Sequence, residues 1–198
     1  MTWITIKSRL PDLMSNNQNI LEGQNVRLRA IEPTDVDFIY TMENDVAIWH
    51  LGNTLMPYSR YQIEQYAIAA EHDIFAEHQL RFIIEAKTGG TECIRAGAID
   101  LYDFDPLHKR AAIGILIIEQ ERQKGFASES LRLLIDYCFE VLFLHQLYCS
   151  VSVSNTVSIR LFQNAGFLQC GIRKEWRLEK DHWIDEIMFQ LIKSCNYQ

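Results

Sequence analysis

Residues 122–127 read Arg-Gln-Lys-Gly-Phe-Ala and stand between an apolar run (Ile113, Gly114, Ile115, Leu116, Ile117, Ile118) and a stretch with helical spacing. A strand that runs into a basic, glycine-containing loop and then a helix exposes the unpaired N–H groups of the first helical turn, with the positive end of the helix dipole behind them. That makes an anion site. Gly125 lets the backbone approach a ligand closely, Ala127 keeps the helix start uncluttered, and Arg122 and Lys124 supply charge, so a pyrophosphate is the natural occupant. A Walker P-loop is excluded by the missing Gly-Lys-Ser/Thr ending, and the first glycine of a dinucleotide fingerprint would fall at Gln123.

Other reactive residue types form no comparable pattern. The six histidines lack ligand spacing, and His72 and His78 would point to different faces of a helix, so no metal is expected. Cys93, Cys138, Cys149, Cys170 and Cys195 contain no CxxC pair and read as free thiols of a reducing compartment.

The elements that must position the loop follow from periodicity. Residues 26–30 alternate as a half-buried strand, and Pro33 with Asp35 opens a helix through Phe38, Ile39 and Met42. After a loop with Gly52, Asn53 and Pro57, Ser59 caps a second helix carrying Ile63, Tyr66, Ala67 and Ala70. Three strands come next, over residues 81–85, 94–104 and 111–118, as an antiparallel meander. Leu131, Leu134, Ile135, Cys138 and Leu142 mark the helix after the loop, and residues 146–153 a buried strand. Asn155 starts a further helix with Ile159 and Phe162, stopped by Gly166. Strands over residues 167–173 and 183–191, joined by a turn at 179–182, complete an α+β (mixed α/β) domain. The polar, Asn-rich segment up to residue 22 reads as an N-terminal extension, in which residues 3–6 can pair as an edge strand, and the domain as residues 23–193.

A chain of 198 residues supports one core and one site. The net charge of −7, without clustered Lys and Arg, argues against nucleic acid and for a cationic acceptor. No apolar run reaches bilayer length and no signal segment or N-x-S/T sequon occurs, so a cytoplasmic location with no membrane partner is expected.

Strand, Arg122-x-x-Gly125-x-Ala127, helix, strand, then Asn155-x-x-Ser158, Phe162 and Ala165-Gly166-Phe167 resembles the GCN5-related N-acetyltransferase (GNAT) family. The resemblance runs from about Val26 to Leu191. With Val26-Arg27-Leu28-Arg29 at the front and Trp183-x-Asp185-Glu186 near the end, it is similar to the branch of ribosomal-protein N-terminal acetyltransferases and bacterial spermidine N-acetyltransferases. The resemblance implies a strongly twisted, mixed sheet of six or seven strands with about four flanking helices. It also implies that the sheet splits between the strands ending near Ile117 and Val153, with acetyl-CoA wedged in the split. The pyrophosphate would lie on main-chain N–H groups of Gln123, Lys124, Gly125, Phe126 and Ala127, with Arg122 and Ser128 also among the cofactor-binding residues. The main chain of Ile115, Leu116 and Ile117 would hold the acetyl carbonyl and pantetheine arm. Asn155 is implied to bond that arm or to act as a helix cap, or both, with Ser158 and Phe162 beside it.

The implied reaction is direct attack of an amine on the thioester, its oxyanion stabilised by a main-chain N–H near Ile117. Two positions depart from the family pattern. Phe162 stands where many relatives carry a tyrosine that protonates the leaving thiolate, and Ala112 where relatives carry a glutamate base. A thiol of pKa about 8.5 leaves without full protonation, so the missing acid slows the step rather than forbidding it. Tyr137, Tyr148 or water are the replacements for the acid, and Asp103 or His108 is the expected water-mediated base. Asp100, Asp105 and Glu119 read as rim residues. The acceptor is an amine-bearing small molecule or a protein N-terminus. A polyamine is an alternative weakened by the absence of carboxylates from residues 49–58, with Glu43, Asp45 and Glu64 still nearby. A non-catalytic acyl-CoA-binding module is the reading from another class, and the extension and last strands offer a surface for a homodimer.

Overall fold

A computed structural model describes residues 20–49, 54–68, 74–89, 93–179 and 181–193. The expected edge strand at residues 3–6, most of the extension, Gly52 and Asn53 of the first loop, Ala70, His72 and Cys195 lie outside them. Chain order is β1 Val26–Ala30, a 3-10 turn Pro33–Asp35, α1 Val36–Glu43, α2 Arg60–Ile68, α3 Ile74–Glu77, β2 Leu80–Lys87, β3 Cys93–Asp105 and β4 Arg110–Ile117. There follow a 3-10 turn Glu119–Glu121, α4 Phe126–Glu140, β5 Gln146–Ser152, α5 Thr156–Asn164, β6 Leu168–Glu179 and β7 His182–Ile192.

The strands form one seven-stranded sheet in the order β1-β2-β3-β4-β5-β7-β6. Every pairing is antiparallel except β4 with β5, whose parallel alignment requires the crossover that α4 supplies. That pairing lasts only from Arg110↔Gln146 through Ala111↔Leu147 to Ala112↔Tyr148. Beyond it, residues 113–117 stay with β3 and residues 149–152 with β7. The sheet therefore forks at Ala112 and Tyr148, as the expected split requires.

Alternation along β2 assigns the two faces. Phe82 and Ile84 enter the main core with Leu131, Leu134 and Cys138 of α4, whereas Ile83 joins Ile39 and Ile63 beneath α1 and α2. Ser59 caps α2 as a capping box: the Gln62 N–H donates to Ser59 Oγ at 3.2 Å and the Ser59 N–H to Gln62 Oε1 at 2.8 Å.

Two differences from the periodicity reading have local causes. Helix α3, four residues long, is too short to leave a periodic signature. Strand β6 runs past residue 173 to Glu179 because a bulge interrupts it, with Arg173↔Glu186 and Arg177↔Ile184 enclosing residues 174–176 opposite Asp185 alone. Lys174 Nζ at 2.6 Å and the Glu175 N–H at 3.0 Å both donate to the Asp185 carboxylate and hold the bulge. Among the described residues, no helix is long and apolar enough to cross a membrane.

Candidate functional site

The loop between β4 and α4 builds a cradle of amides. Gln123 (φ 64°) and Gly125 (φ 83°) lie in the left-handed region, and Gly125 is the N-cap of α4 without a side-chain cap. This backbone turns successive N–H groups toward one concavity. Among the described residues, the main-chain N–H groups of residues 123–128 have no acceptor, while the Glu129 N–H returns to the Gly125 carbonyl at 3.2 Å.

Both cations of the loop have structural duties that the sequence did not disclose. Arg122 Nε donates to the Ile117 carbonyl at 3.0 Å, and Lys124 Nζ pairs with Glu121 at 2.9 Å. They shape the cradle first and add charge second. Phe126 and Ala127 rest against the main core, and Ser128 lines an open groove of about 330 Å³ with Gln24, Asn25, Gly125, Glu129 and Arg132.

The fork exposes the inner edge of β4. The Leu116 carbonyl points at β3, 2.0 Å from where a Cβ on Gly97 would sit, and the Ile118 N–H donates to Ala96 at 2.9 Å. Strand alternation then turns the main-chain groups of Ile113, Ile115 and Ile117 into the split. Of the three expected residues, Leu116 is thus committed to the sheet and the Ile117 carbonyl to Arg122. Both main-chain groups of Ile115 face the split.

Across the split, Asn155 Oδ1 accepts the Ser158 N–H at 3.0 Å as the N-cap of α5, leaving its amide NH₂ as a donor. Phe162 is buried in the core and meets Phe167 edge-on at 5.2 Å, so its ring is packing. Cys149 is buried as well, and burial pushes its thiol pKa up to about 12, which removes it as a nucleophile. Tyr137, partly buried, packs edge-on against Phe82 at 5.7 Å on the flank of the main core.

The face of the sheet under α1 and α2 carries the polar groups. Arg81 Nη1 meets Glu43 at 2.5 Å, and its Nε and Nη2 meet Asp100 at 2.6 and 3.0 Å, all half-buried. Burial works against the Arg81 charge, but Asp100 and Glu43 outweigh it and raise its pKa. Asp100 pairs in register with Gly114, two residues beyond the fork, where a Cβ would make ordinary contact with Tyr102 at 3.6 Å and Asp100 at 4.0 Å. Burial pushes the Tyr102 phenol up to about 12. Tyr148 OH donates to Asp103 Oδ2 at 3.4 Å, and Asp103 (φ 50°) sits in the bulge of β3 between Tyr102 and Asp105.

His108 is not brought to the fork: it lies in the exposed turn before β4, its main-chain N–H on Asp105 at 2.9 Å. Sequence reasoning placed Glu43 near the rim but missed Arg81 and Tyr102. The available signal was a charged residue inside each of two apolar strand runs, Arg81 and Asp100, which can be buried only as a pair. On the far side of the split, Glu186 is buried between Arg173 at 3.0 Å and Arg177 at 3.6 Å, and Arg173 stacks on Trp176 at 4.8 Å.

Comparison with known proteins agrees with this geometry. The family model described as Acetyltransferase (GNAT) domain matches residues 25–168. The chain is similar to the spermidine N(1)-acetyltransferase of Escherichia coli (strain K12), 25% identical over 183 residues that cover 89% of this chain and 88% of that one. It is also similar to the solved spermidine N-acetyltransferase of Vibrio cholerae in complex with CoA and spermine, with TM-score 0.76 and 26% identity over 86% of this chain and 97% of that one. A dodecameric structure of the Vibrio cholerae enzyme superimposes with TM-score 0.71 and 25% identity over 86% of this chain and 95% of that one.

Proposed function

The chain belongs to the GNAT acetyltransferase family, and from that premise we propose that it transfers the acetyl group of acetyl-CoA to a primary amine of a small aliphatic polyamine. The amides of residues 123–128 hold the pyrophosphate, with Ser128 toward the nucleotide end. The pantetheine arm runs along the inner edge of β4, held by Ile115 and the Asn155 amide. The carbonyl oxygen of the thioester meets a main-chain N–H of β4 fixed in place before reaction, which stabilises the oxyanion without reorganisation. The amine attacks directly from the α1 and α2 face, and no covalent enzyme intermediate forms.

The observation that carries the choice of acceptor is the Glu43, Arg81, Asp100 cluster beside Gly114, where two carboxylates share one guanidinium and leave negative charge at the fork. The carboxylates absent from residues 49–58 are supplied instead by the end of α1 and by β3. The similar proteins of Escherichia coli and Vibrio cholerae are named for spermidine, which supports the same class. We also read the chain as self-associating, in line with the dodecameric neighbour.

A panel of spermidine, spermine, monoamines and peptide N-termini, with acetyl-CoA and a thiol-release readout, tests the reading. Polyamines should exceed peptides by at least about tenfold in kcat/KM, since charge complementarity of this kind is worth on the order of 1.4 kcal/mol. A preference for peptides overturns the acceptor class and leaves the transfer standing. Tight CoA binding with no thiol release from any amine would establish the non-catalytic reading.

A further inference from the structure

Ala112 and Phe162 leave the transfer without a side-chain base or acid at the two positions where the family pattern places them. We propose that Tyr148 takes up the proton of the attacking amine and passes its own hydroxyl proton to Asp103, which discharges it to solvent. The inference rests on the amine-acetylation reading above and adds the residues that move the proton.

Geometry at the fork carries it. Ala112 is the last β4 residue paired with β5, its partner there is Tyr148, and its partner on β3 is Tyr102. The Ala112 methyl is wholly buried, so the polar groups at this point come from its neighbours. Tyr148 OH already donates toward Asp103 at 3.4 Å, the direction in which the proton must travel. Asp103 is exposed and held in the β3 bulge, so its carboxylate faces Tyr148 on one side and water on the other. Gly114, two residues along the same face from Ala112, carries no side chain to cover this point. His108, in the exposed turn, and Tyr137, packed against the main core on Phe82, have no such path.

The step balances. The amine nitrogen forms the C–N bond to the thioester carbonyl, and the tetrahedral adduct carries a positive nitrogen and a negative oxygen. The Tyr148 oxygen takes one proton from that nitrogen while its own proton moves to the Asp103 carboxylate. The C–S bond then breaks, and CoA leaves as a thiolate that takes a proton from solvent. Asp103 returns its proton to water, so the enzyme ends as it began. Tyr148 is the catalytic residue here, because it touches the reacting nitrogen; Asp103 acts through it and is a positioning residue.

The test uses the full chain with acetyl-CoA and its best amine. Tyr148→Phe and Asp103→Asn should each lower kcat by about 10²-fold, the lower end of general acid–base contributions, with the KM for acetyl-CoA unchanged. Because the two act in one relay, the double variant should lose no more than either single variant. Asp103→Glu should recover most of the Asp103→Asn loss, which a role in shaping the turn alone would not produce. A Tyr148→Phe rate within threefold of the parent, or single losses that multiply in the double variant, overturns the proposal. Should Tyr148→Phe fail to fold, the exposed Asp103 variants decide: equal rates for Asn and Asp overturn it. Failure of the underlying reading would look different, as a parent chain that releases no CoA thiol with any amine.

Discussion

Gly125 is the residue on which the anion cradle turns. At φ 83° it occupies a conformation that costs a residue with a Cβ about 1–2 kcal/mol, while open space around the missing Cβ means that sterics with neighbours add nothing. Gly125→Ala should therefore fold, with stability lowered by about that amount, and should weaken CoA binding by tenfold or more as the amides turn away. Calorimetric titration with CoA measures the second effect and thermal unfolding the first. Lys124 is the contrast: its exposed pair with Glu121 is worth little, so Lys124→Ala should change CoA affinity less than about threefold. A large loss there would mean that the Lys124 cation, rather than the amides, holds the phosphates.

At the scale of elements, a charge network fastens α1 to the sheet and so fixes where Glu43 stands. Asp35, fully buried, accepts Arg29 through both oxygens at 2.6 and 2.8 Å, Arg95 at 2.7 Å and the Glu32 N–H at 2.8 Å. Burial opposes its charge, yet Arg29 and the Glu32 amide hold its carboxyl below the usual range; Glu85, likewise opposed by burial, is held down by Arg29 and Arg27. A depressed folded pKa contributes stability that is present above the unfolded value near 4 and lost as pH falls through the lower folded value. The urea midpoint should thus decline as pH falls below about 4. Asp35→Asn should cost about 3 kcal/mol at neutral pH and flatten that decline, because it leaves Arg29 with an uncharged buried partner. Gly97 has a related duty. A Cβ there would meet the Leu116 carbonyl at 2.0 Å, so Gly97→Ala should separate β3 from β4 and destabilise by about 1–3 kcal/mol or more by urea unfolding.

Among the described residues, β1 and β6 are the two edges of the sheet. Strand β6 ends the sheet, and Leu168, Ile172 and Leu178 on it are exposed, together with Trp176 in its bulge. A long apolar edge invites pairing with another chain. Sedimentation should show an oligomer, and Ile172→Lys with Leu178→Lys should shift it toward monomer while CoA affinity holds. A chain that sediments as a monomer at all working concentrations would count against self-association.

Much of this was legible from residues alone. Arg122-x-x-Gly125-x-Ala127 between an apolar run and a helix specifies its own backbone, because unpaired first-turn amides and a glycine at positive φ are local properties. Asn155 as cap, Ser59 as capping box and the order of strands and helices are local as well. The fork, the commitment of Leu116 to β3, the tethering of Arg122, and the meeting of Tyr148 with Asp103 or of Arg81 with Glu43 and Asp100 are not. Each joins residues far apart in sequence through strand register, and register depends on how distant strands align and pack. The chain alone thus determined the loop whose first-turn amides stand unpaired; only the tertiary structure decided which charged and hydroxyl groups would meet beside the fork.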